Sequence, residues 1–450
     1  MRFNPLPLFI CAAGIYFMFK LRFFFILHPI STAKKSIRAL KDKRALRSFS
    51  LALAGTLGVG NVFGVAFGIM VGGAGSVFWL FVSMLFSMVI KYAEVVVTSD
   101  SLRHDSDSHG GMFFVISESF KRHGRALSRI YAVGALGLSL FMGASLQCGA
   151  VTSAVEEIVV TPRASIAVIV VITVFLAIVG GVKKIEKITF VVIPMTTIIY
   201  TIIAICVVVS NYRFLPVVVM SVLKSAFEPK CVVGGALGFL LSPAFTEGFA
   251  RGILSNEAGA GTSSMAHARN GVLNPSFSGL LGMLEVWFDT GFLCMLTAFS
   301  ILLTVPEGVE MSDGMALVMY AVGSVFGNVG KVGIMACVIS FAFATVICWY
   351  YYGMECWGYV FGKKTRFVFL PLFVSFVFLG CFFESTFIVF IVDLLMVIIT
   401  ILCIMTLIKN SDRIKALSER GGVLKYDPAK KYIGKIKGNV LRKEGKRRER

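Results

Sequence analysis

A hydrophobic stretch at residues 51–73 is long enough to cross a membrane, but glycine interrupts it near its midpoint. Gly55, Gly58 and Gly60 lie close together there, and the amide side chain of Asn61 follows directly. A helix that breaks against lipid leaves backbone N–H and C=O groups unpaired, which is costly, so such a break persists only where protein or a polar cavity satisfies those groups. Because discontinuous helices of this kind form substrate and ion sites in secondary transporters, the stretch favours a transport protein.

The composition is that of a membrane protein. Of the 450 residues, 57% are hydrophobic and 15% are charged, and the mean hydropathy is +0.83. The net charge of +19 is concentrated in a loop at 28–47 and in the tail at 409–450. Both segments follow hydrophobic spans, so membrane topology and anionic lipid explain the charge better than nucleic acid does. We therefore expect the lipid bilayer as a partner and no nucleic acid.

Eleven segments approach the length that a helix needs to cross the hydrocarbon core. They are 5–26, 48–73, 76–100, 126–155, 164–181, 188–210, 232–253, 277–304, 331–353, 366–384 and 386–408. The segment 312–327 is apolar but short and contains several glycines, which predicts a surface or re-entrant helix. The fold class predicted is an all-α polytopic membrane protein with about eleven transmembrane helices.

The loops between these segments alternate in charge. Lysine and arginine concentrate on one side, which includes the basic tail, whereas the acidic stretch 306–313 belongs to the opposite side. The positive-inside rule then places the N-terminus outside and the C-terminus in the cytoplasm, as expected for a protein of the inner or plasma membrane. The basic loops are 28–47, 102–125, 182–187 and 361–366, and the loop 254–276 lies on the same side.

A second glycine-interrupted span at 232–253 contains Gly235 and Gly238. It opens a second set of five spans, and because five is odd, this set must enter the membrane from the opposite face. The arithmetic predicts a 5+5 inverted-topology repeat, in which paired interrupted helices mark a central binding site. The predicted units are an N-terminal helix and basic loop (1–47), two repeats (48–210 and 211–408) and the cytoplasmic tail (409–450).

The break in the first glycine-interrupted span, 48–73, offers two kinds of backbone group. Amides at the start of a half-helix attract a carboxylate, and carbonyls at the end of a half-helix attract a cation. Gly58, Gly60 and Asn61 are therefore candidate substrate-binding residues. By contrast, the glycines that recur every fourth residue after Gly60, at Gly64 and Gly68, predict a smooth face for helix packing.

Polar side chains inside the predicted spans are further candidates, because each is costly in hydrocarbon unless it is paired or functional. Gln147 can both donate and accept hydrogen bonds, which favours substrate contact over contact between helices. For Asp289, a structural pair and an ion or proton role are equally reasonable. Thr345 and Trp349, one helical turn apart, offer a hydroxyl and an aromatic wall, with ordinary packing as the alternative.

Other features have simpler interpretations. Lys91 and Glu94 are three residues apart and are expected to pair with each other. The polar, glycine-rich stretch 251–267 is interpreted as a compact cytoplasmic gate, in which His267 needs no chemical role. The ten cysteines lie almost entirely in apolar spans, so packing explains them better than disulfides or a zinc site.

The sequence lacks the motifs of ATP-driven pumps and of common hydrolases. It contains no phosphate-binding loop, no His-Glu-x-x-His and no Gly-x-Ser-x-Gly. An ion gradient or passive movement would therefore have to supply the driving force, and enzymatic activity is not expected.

Several of these stretches also form one longer pattern. They are Gly55-Thr-Leu-Gly-Val-Gly-Asn-Val-Phe-Gly-Val-Ala66, Gly180-Gly-Val-Lys-Lys-Ile185, Arg251-Gly-Ile-Leu-Ser-Asn-Glu-Ala-Gly259, Asp289-Thr290 and Phe341-Ala-Phe-Ala-Thr345. In order and spacing they resemble the alanine/glycine:cation symporters, or sodium:alanine symporter family. The resemblance implies eleven helices with a leucine-transporter-type inverted repeat, and it implies an amino-acid site at residues 58–61 lined by Gln147 and Trp349.

The same resemblance implies a sodium site. In this fold, carbonyls of the first broken helix pair with hydroxyls of a later helix, which points to Ala54, Leu57 and Thr345. Two departures from the family pattern occur nearby: Ala344 stands where the family usually has serine, which removes one sodium ligand, and the segment 143–147 also differs. No cofactor is implied beyond Na⁺ or H⁺ as the coupling ion.

We therefore expect a secondary active symporter that imports a small neutral amino acid, of the alanine or glycine class, with Na⁺ or H⁺ by alternating access. The functional unit is expected to be a monomer. A non-transporting membrane sensor of the same fold is the main alternative. An intramembrane enzyme is disfavoured because the spans contain no catalytic grouping of His, Asp and Ser.

Overall fold

The structure is a computed structural model that describes residues 5–101, 110–227, 242–269, 274–306 and 313–424. Every regular element within these ranges is a helix. The predicted all-α class is therefore confirmed for the part of the chain that the structure describes.

The helices are numbered here in chain order. They are α1 (Leu6–Lys20), α2 (Phe24–Leu27), α3 (Pro29–Ala39), α4 (Lys43–Thr56), α5 (Phe63–Gly72), α6 (Gly75–Ser101), α7 (Met112–Ser119), α8 (Gly124–Glu156), α9 (Arg163–Ile178), α10 (Gly181–Ser210), α11 (Leu215–Ala226), α12 (Pro243–Asn256), α13 (Ser264–Arg269), α14 (Pro275–Thr304), α15 (Gly314–Phe361), α16 (Arg366–Gly380), α17 (Ser385–Lys409) and α18 (Ser411–Arg420).

Six of these helices are long and apolar enough to cross a membrane, namely α6, α8, α10, α14, α15 and α17. The bent pair α4 and α5 makes a seventh candidate span, and α1 and α9 are shorter apolar helices. The chain is thus a multi-pass helical membrane protein, whereas the eleven crossings and the 5+5 repeat remain predictions.

The predicted break in the span 48–73 is confirmed. Helix α4 ends at Thr56, a single 3-10 turn covers Val59–Asn61, and α5 begins at Phe63. The two helices are bent by 59° with respect to each other. Gly58, between them, has extended backbone angles, so the chain leaves α4 and re-enters a helix within a few residues.

The second predicted interruption falls on residues 228–241, which lie outside the described residues, together with Gly235 and Gly238. The described chain resumes just before α12, where the Ser242 hydroxyl accepts a hydrogen bond from the Phe245 N–H at 3.3 Å. With Pro243 at the first helical position, this is a regular helix start.

The predicted loop at 251–267 is wrong at both ends, because α12 continues through Asn256 and α13 begins at Ser264. Helix α12 continues because small residues let it pack closely on α6: a Cβ at Gly248 would meet the Ser76 backbone, and one at Gly252 would meet Ser83. The prediction that this segment is compact agrees with the structure, since all of residues 251–268 are buried.

The predicted helix at 312–327 is present as the first part of α15. It begins at Gly314, where Asp313 caps it, and a kink at Gly327 separates it from the rest of α15. Gly327 has a φ of +59°, in the region that favours glycine. The residues from Gly314 to Met319 are buried against the other helices.

Some of the segments predicted as basic loops are wholly or partly helical: residues 182–187 lie inside α10, and α3 lies within 28–47. The short helix α18 contacts α1, α6 and α14, while Arg269 at the end of α13 forms an ion pair with Glu186 of α10. The contacts that hold α18 and the residues after it are Lys20 with Asp412 (2.6 Å), Arg413 with Asp100 (2.8 Å), Tyr92 with Ser418 (2.8 Å) and Lys35 with the Gly422 carbonyl (2.7 Å).

The packing of α12 on α6 gives a stability prediction. Gly248→Ala places a methyl group against the Ser76 backbone, and overpacking of this kind costs about 1–3 kcal/mol. We expect a lower midpoint of thermal unfolding in detergent. Gly64→Ala is the matched control, because a Cβ there meets nothing within 4 Å. Equal midpoints for the two variants would show that this contact does not limit stability.

Candidate functional site

Side chains of α15 bind the carbonyl groups where α4 ends. The Thr345 hydroxyl donates to the Leu57 carbonyl at 3.3 Å, and the Trp349 indole N–H donates to the Gly55 carbonyl at 3.2 Å. Both side-chain donors are buried. Carbonyls in the last turn of a helix have no N–H partner within that helix, so α15 supplies the hydrogen-bond donors that are lost at the break.

Gln147 of α8 meets the other side of the break. Its Oε1 accepts the backbone N–H of Val59 at 3.0 Å, and its Nε2 donates to the Met142 carbonyl at 3.2 Å. Gln147 is buried, so both ends of its amide are paired inside the protein. One side chain thus holds the first N–H group of the turn that leads into α5.

Gly58 lies where these groups converge. A Cβ on Gly58 would be 2.8 Å from Gln147 Oε1 and 2.8 Å from Thr345 Oγ1, so any side chain there must displace one of them. A Cβ on Gly60 would instead reach only the Ser255 Cα, at 3.6 Å, which is an ordinary contact. The absence of a side chain is therefore required at Gly58 and not at Gly60.

Asn61 turns away from this group toward Asp289. Its Nδ2 donates to Asp289 Oδ1 at 2.5 Å and to the Asp289 backbone carbonyl at 3.3 Å. Both residues are buried, and Asn61 Oδ1 has no partner among the described residues. The amide thus links the start of α5 to the middle of α14.

The remaining oxygen of Asp289 is also bound by neutral donors. Ser255 of α12 donates to Oδ2 at 2.6 Å, and Thr290 donates to the same atom at 2.9 Å. Asn256 donates in turn to Thr290 at 3.0 Å. In the described part of the chain Asp289 has no ion-pair partner, so hydrogen bonds alone stabilise this carboxyl group.

Sequence reasoning missed two π-helical segments that carry this site. Ser139–Leu146 in α8 ends directly before Gln147, and Trp287–Cys294 in α14 contains Asp289. π-helical turns occur frequently at functional sites, because they change the direction of side chains within a helix. In the sequence, the one glycine inside each segment is the only feature that could have indicated these π-helical turns. The sequence also gave no reason to choose Ser255.

The other candidates are placed as follows. Ala54 is buried in the last turn of α4, three residues before Leu57. The predicted pair of Lys91 and Glu94 is present at 3.9 Å, but the shorter contact of Lys91 Nζ is with Ser263 Oγ at 2.7 Å. The structure therefore brings Leu57, Gly58, Gln147, Thr345 and Trp349 together, and it joins Asn61 to Asp289 in a second group beside them.

A cavity of about 1110 Å³ lies beyond the far end of α5. Its lining includes Met70, Gly73, Pro216, Lys224 and Val305, and none of the candidate site residues. Among the described residues, Gln147 and Thr345 crowd the backbone at Gly58, so a substrate that approaches this backbone must displace at least one of them.

A bent span whose broken backbone is held by side chains of other helices is typical of membrane transport proteins. The chain belongs to the sodium:alanine symporter family, whose model matches residues 2–419. This family consists of sodium-coupled amino-acid symporters, so the chain is a transport protein and not an enzyme.

Named relatives agree with this assignment. The chain is 27% identical over 339 residues to the sodium/alanine symporter AgcS of Methanococcus maripaludis, covering 72% of each chain. It is 29% identical over 413 residues to the probable sodium/glutamine symporter GlnT of Bacillus subtilis, covering 88% of this chain and 84% of the relative. An uncharacterized transporter of Haemophilus influenzae is 29% identical over 398 residues, covering 87% of each chain. The sensor alternative finds no support among these proteins.

The crowding at Gly58 generates a prediction about binding. Gly58→Ala places a methyl group 2.8 Å from both Gln147 Oε1 and Thr345 Oγ1, and Gly58→Leu cannot be accommodated at all. We expect Gly58→Ala to weaken amino-acid binding at least tenfold and Gly58→Leu to abolish it, while both proteins still insert into the membrane. Isothermal titration of the purified protein with alanine measures this effect.

Gly60→Ala is the matched control for that experiment, because its new Cβ makes only an ordinary contact. We expect it to bind with affinity near that of the wild type. An unchanged affinity in Gly58→Leu would show that the substrate does not approach this backbone.

Proposed function

We propose that this chain imports a small neutral amino acid, of the alanine or glycine class, together with Na⁺ by alternating access. The observation that carries the proposal is the backbone break at Gly58, which has no side chain of its own and whose neighbouring backbone groups are bound by Gln147 and Thr345 from two sides. The test is uptake of a labelled amino-acid panel by proteoliposomes under separate Na⁺ and H⁺ gradients. Accumulation driven by Na⁺ alone supports the proposal, and its absence contradicts it.

The substrate carboxylate would bind where Gln147 Oε1 now lies. That oxygen accepts the N–H of Val59 at 3.0 Å, at the start of the turn leading into α5. The start of a helical segment favours negative charge, so a carboxylate would be a better acceptor than a neutral amide oxygen. Gln147 would then release Val59 and contact the substrate with its own amide.

The ion would bind between α4 and α15. The Leu57 carbonyl and the Thr345 hydroxyl are already 3.3 Å apart, and both are oxygen donors of the kind that Na⁺ binds. Ala54 would contribute its carbonyl from the preceding turn. A bound Na⁺ would link the two helices and add positive charge beside the substrate carboxylate, so each would favour binding of the other.

The substrate side chain would face Trp349. The indole is buried, contacts Tyr352 edge-on with ring centroids 5.4 Å apart, and leaves no room for a Cβ on Gly143. A rigid wall of this kind limits the volume beside Gly58 and favours alanine or glycine over larger amino acids. Gly60 and the backbone of Asn61, whose side chain faces Asp289, would complete the site from the side of α5, with Gly235 and Gly238 from the second predicted interruption.

The proposed cycle opens the site first to the outside and then to the cytoplasm. The predicted basic segments would face the cytoplasm, and the cavity near Gly73 would then lie toward the outside. The N-terminus would then lie outside and the tail inside a cell membrane. Asp289 would tie α5 to α12 and α14 throughout the cycle, through Asn61 and Ser255.

Thr345 allows a test of the ion site. Thr345→Ala removes the hydroxyl that contacts the Leu57 carbonyl, so the Na⁺ concentration for half-maximal uptake should rise about tenfold. Ala344→Ser adds a hydroxyl at the neighbouring position and should lower this concentration. The measurement is the Na⁺ dependence of alanine uptake. If neither change alters it, the ion binds elsewhere.

Trp349 allows a test of pocket size. Trp349→Ala should weaken alanine uptake through lost contact and let leucine compete. Trp349→Phe is the matched control: it keeps an aromatic wall but loses the hydrogen bond to the Gly55 carbonyl, so it should weaken alanine uptake without admitting leucine. Competition between labelled alanine and leucine measures both effects. Effective competition by leucine in the wild type would contradict the small pocket.

A further inference from the structure

A group of buried ionisable side chains lies beside the candidate site and has no role in it. Lys91 and Glu94 come from α6, Glu257 follows α12, His267 belongs to α13 and Glu285 to α14. Each of these five residues is at most 1% exposed. We refer to them as the carboxyl cluster.

Within the carboxyl cluster, two carboxyl groups have a basic partner. His267 Nε2 lies 2.6 Å from Glu285 Oε2, and Lys91 Nζ lies 3.9 Å from Glu94 Oε2. Glu257 has no such basic partner: its Oε2 accepts a hydrogen bond from Thr262 at 2.5 Å, and its Oε1, like Glu94 Oε2 and Glu285 Oε1, has no hydrogen-bond partner in the described part of the chain. No ion pair joins Glu257 to a described Lys, Arg or His residue.

The backbone at Glu257 is also unusual. It has φ +54° and ψ +21°, directly after the last residue of α12. Glycine is the common residue at this position of a helix end, because a side chain in the left-handed region is strained. Glu257 thus places a buried carboxyl group, without a counter-ion, at a position where glycine would be easier to accommodate. Strain of this kind is typical of functional positions.

The charges of the cluster do not balance. Three carboxylates face Lys91 and His267, so one negative charge is left over even when His267 is protonated. A buried charge without a partner is neutralised by a proton rather than retained. Burial raises the pKa of Glu257, which lies in the loop after α12 and outside the spanning helices, to about 8. Lys91 and Thr262 oppose this shift, and the negative charges of Glu285 and Asp289 add to it.

Other titratable groups also face the cluster, among them Tyr352 and Cys348 of α15, which lie close enough to Glu257 to interact with its charge. Glu94 Oε1 accepts the Gly261 N–H at 3.2 Å and contacts Cys403 Sγ of α17 at 3.4 Å. The Tyr131 hydroxyl of α8 donates to the Ala260 carbonyl at 2.5 Å. These contacts hold the loop 257–263 closed against α6, α8 and α17, which keeps water away from Glu257.

A short chain of contacts connects Glu257 with the broken helix. Asn256, its neighbour in sequence, donates to Thr290 at 3.0 Å, and Thr290 donates to Asp289 at 2.9 Å. Asp289 accepts from Asn61 beside the break at 2.5 Å. A movement of α5 on binding or release of substrate would therefore act on the start of the loop that contains Glu257.

We propose that the Glu257 carboxyl group is a proton-binding site, protonated while the loop 257–263 is closed and deprotonated when the loop opens to water. On opening, the O–H bond of the carboxylic acid breaks and the proton passes to a water molecule; on closing, the carboxylate takes a proton back. This proposal rests on the proposed function for the opening step only.

Infrared spectroscopy of the purified full-length protein tests the site without any transport assay. The C=O stretch of a protonated carboxylic acid is recorded while the pH is raised through about 8. In the wild type, part of this band should disappear over that range, and Glu257→Gln should lack that part. Glu384→Gln is the matched control, since Glu384 is an exposed glutamate, and it should retain the wild-type titration. A Glu257→Gln spectrum identical to that of the wild type overturns the proposal.

Thr262→Val provides a second variant if Glu257→Gln does not fold. It removes the hydroxyl that stabilises the charged carboxylate, so the titration should move to higher pH. An unchanged titration midpoint in this variant contradicts the assignment to Glu257.

Transport then tests the opening step. In proteoliposomes, Na⁺-driven alanine uptake by the wild type should change as the pH on the cytoplasmic side passes through about 8, and uptake by Glu257→Gln should be independent of pH over that range. Identical pH profiles for the two proteins would overturn the link to transport. If the wild type takes up no amino acid, the proposed function fails, while the infrared result still decides whether Glu257 binds a proton.

Discussion

The need to satisfy backbone polar groups inside a membrane governs this structure more than any other constraint. A helix broken at Gly58 cannot survive in hydrocarbon on its own. Here it survives because Thr345 and Trp349 donate hydrogen bonds to its carbonyls and Gln147 accepts one from its N–H group. The three side chains come from two other helices, so the break depends on the packed bundle. Backbone groups held by side chains can exchange those partners for a ligand, whereas groups inside a continuous helix cannot.

The break could be predicted from sequence because its cause is local. Gly55, Gly58 and Gly60 fall in the middle of one apolar stretch, and the cost of an exposed break leaves few interpretations. Gln147 and Asp289 could be singled out for a similar reason, since polar groups in apolar spans need partners. Their partners could not be predicted, because Val59 is 88 residues from Gln147 and Asn61 is 228 residues from Asp289.

Glu257 shows a different limit of sequence reasoning. In the sequence it lies in a polar stretch rich in glycine, where a charged residue is expected to face water. In the structure the stretch folds back into the bundle, and Glu257 has no exposed surface. Burial of a loop depends on tertiary packing, here of Gly248 and Gly252 against α6, and no local pattern reveals it. The chemistry of a carboxyl group follows its surroundings more than its place in the sequence.

The π-helical segments have a consequence for how the two halves of α8 and of α14 relate to each other. A π-helical turn contains one residue more than an α-helical turn, and one residue corresponds to about 100° of rotation around a helix axis. Side chains before and after each segment therefore point in directions that are offset by about 100° around the helix axis. Gln147 is the first residue after the segment in α8, and the offset turns it toward the break while the earlier part of α8 keeps its own contacts. A single-residue deletion within Ser139–Leu146 would remove this offset and rotate Gln147 away from Val59, with no change in any side chain of the site.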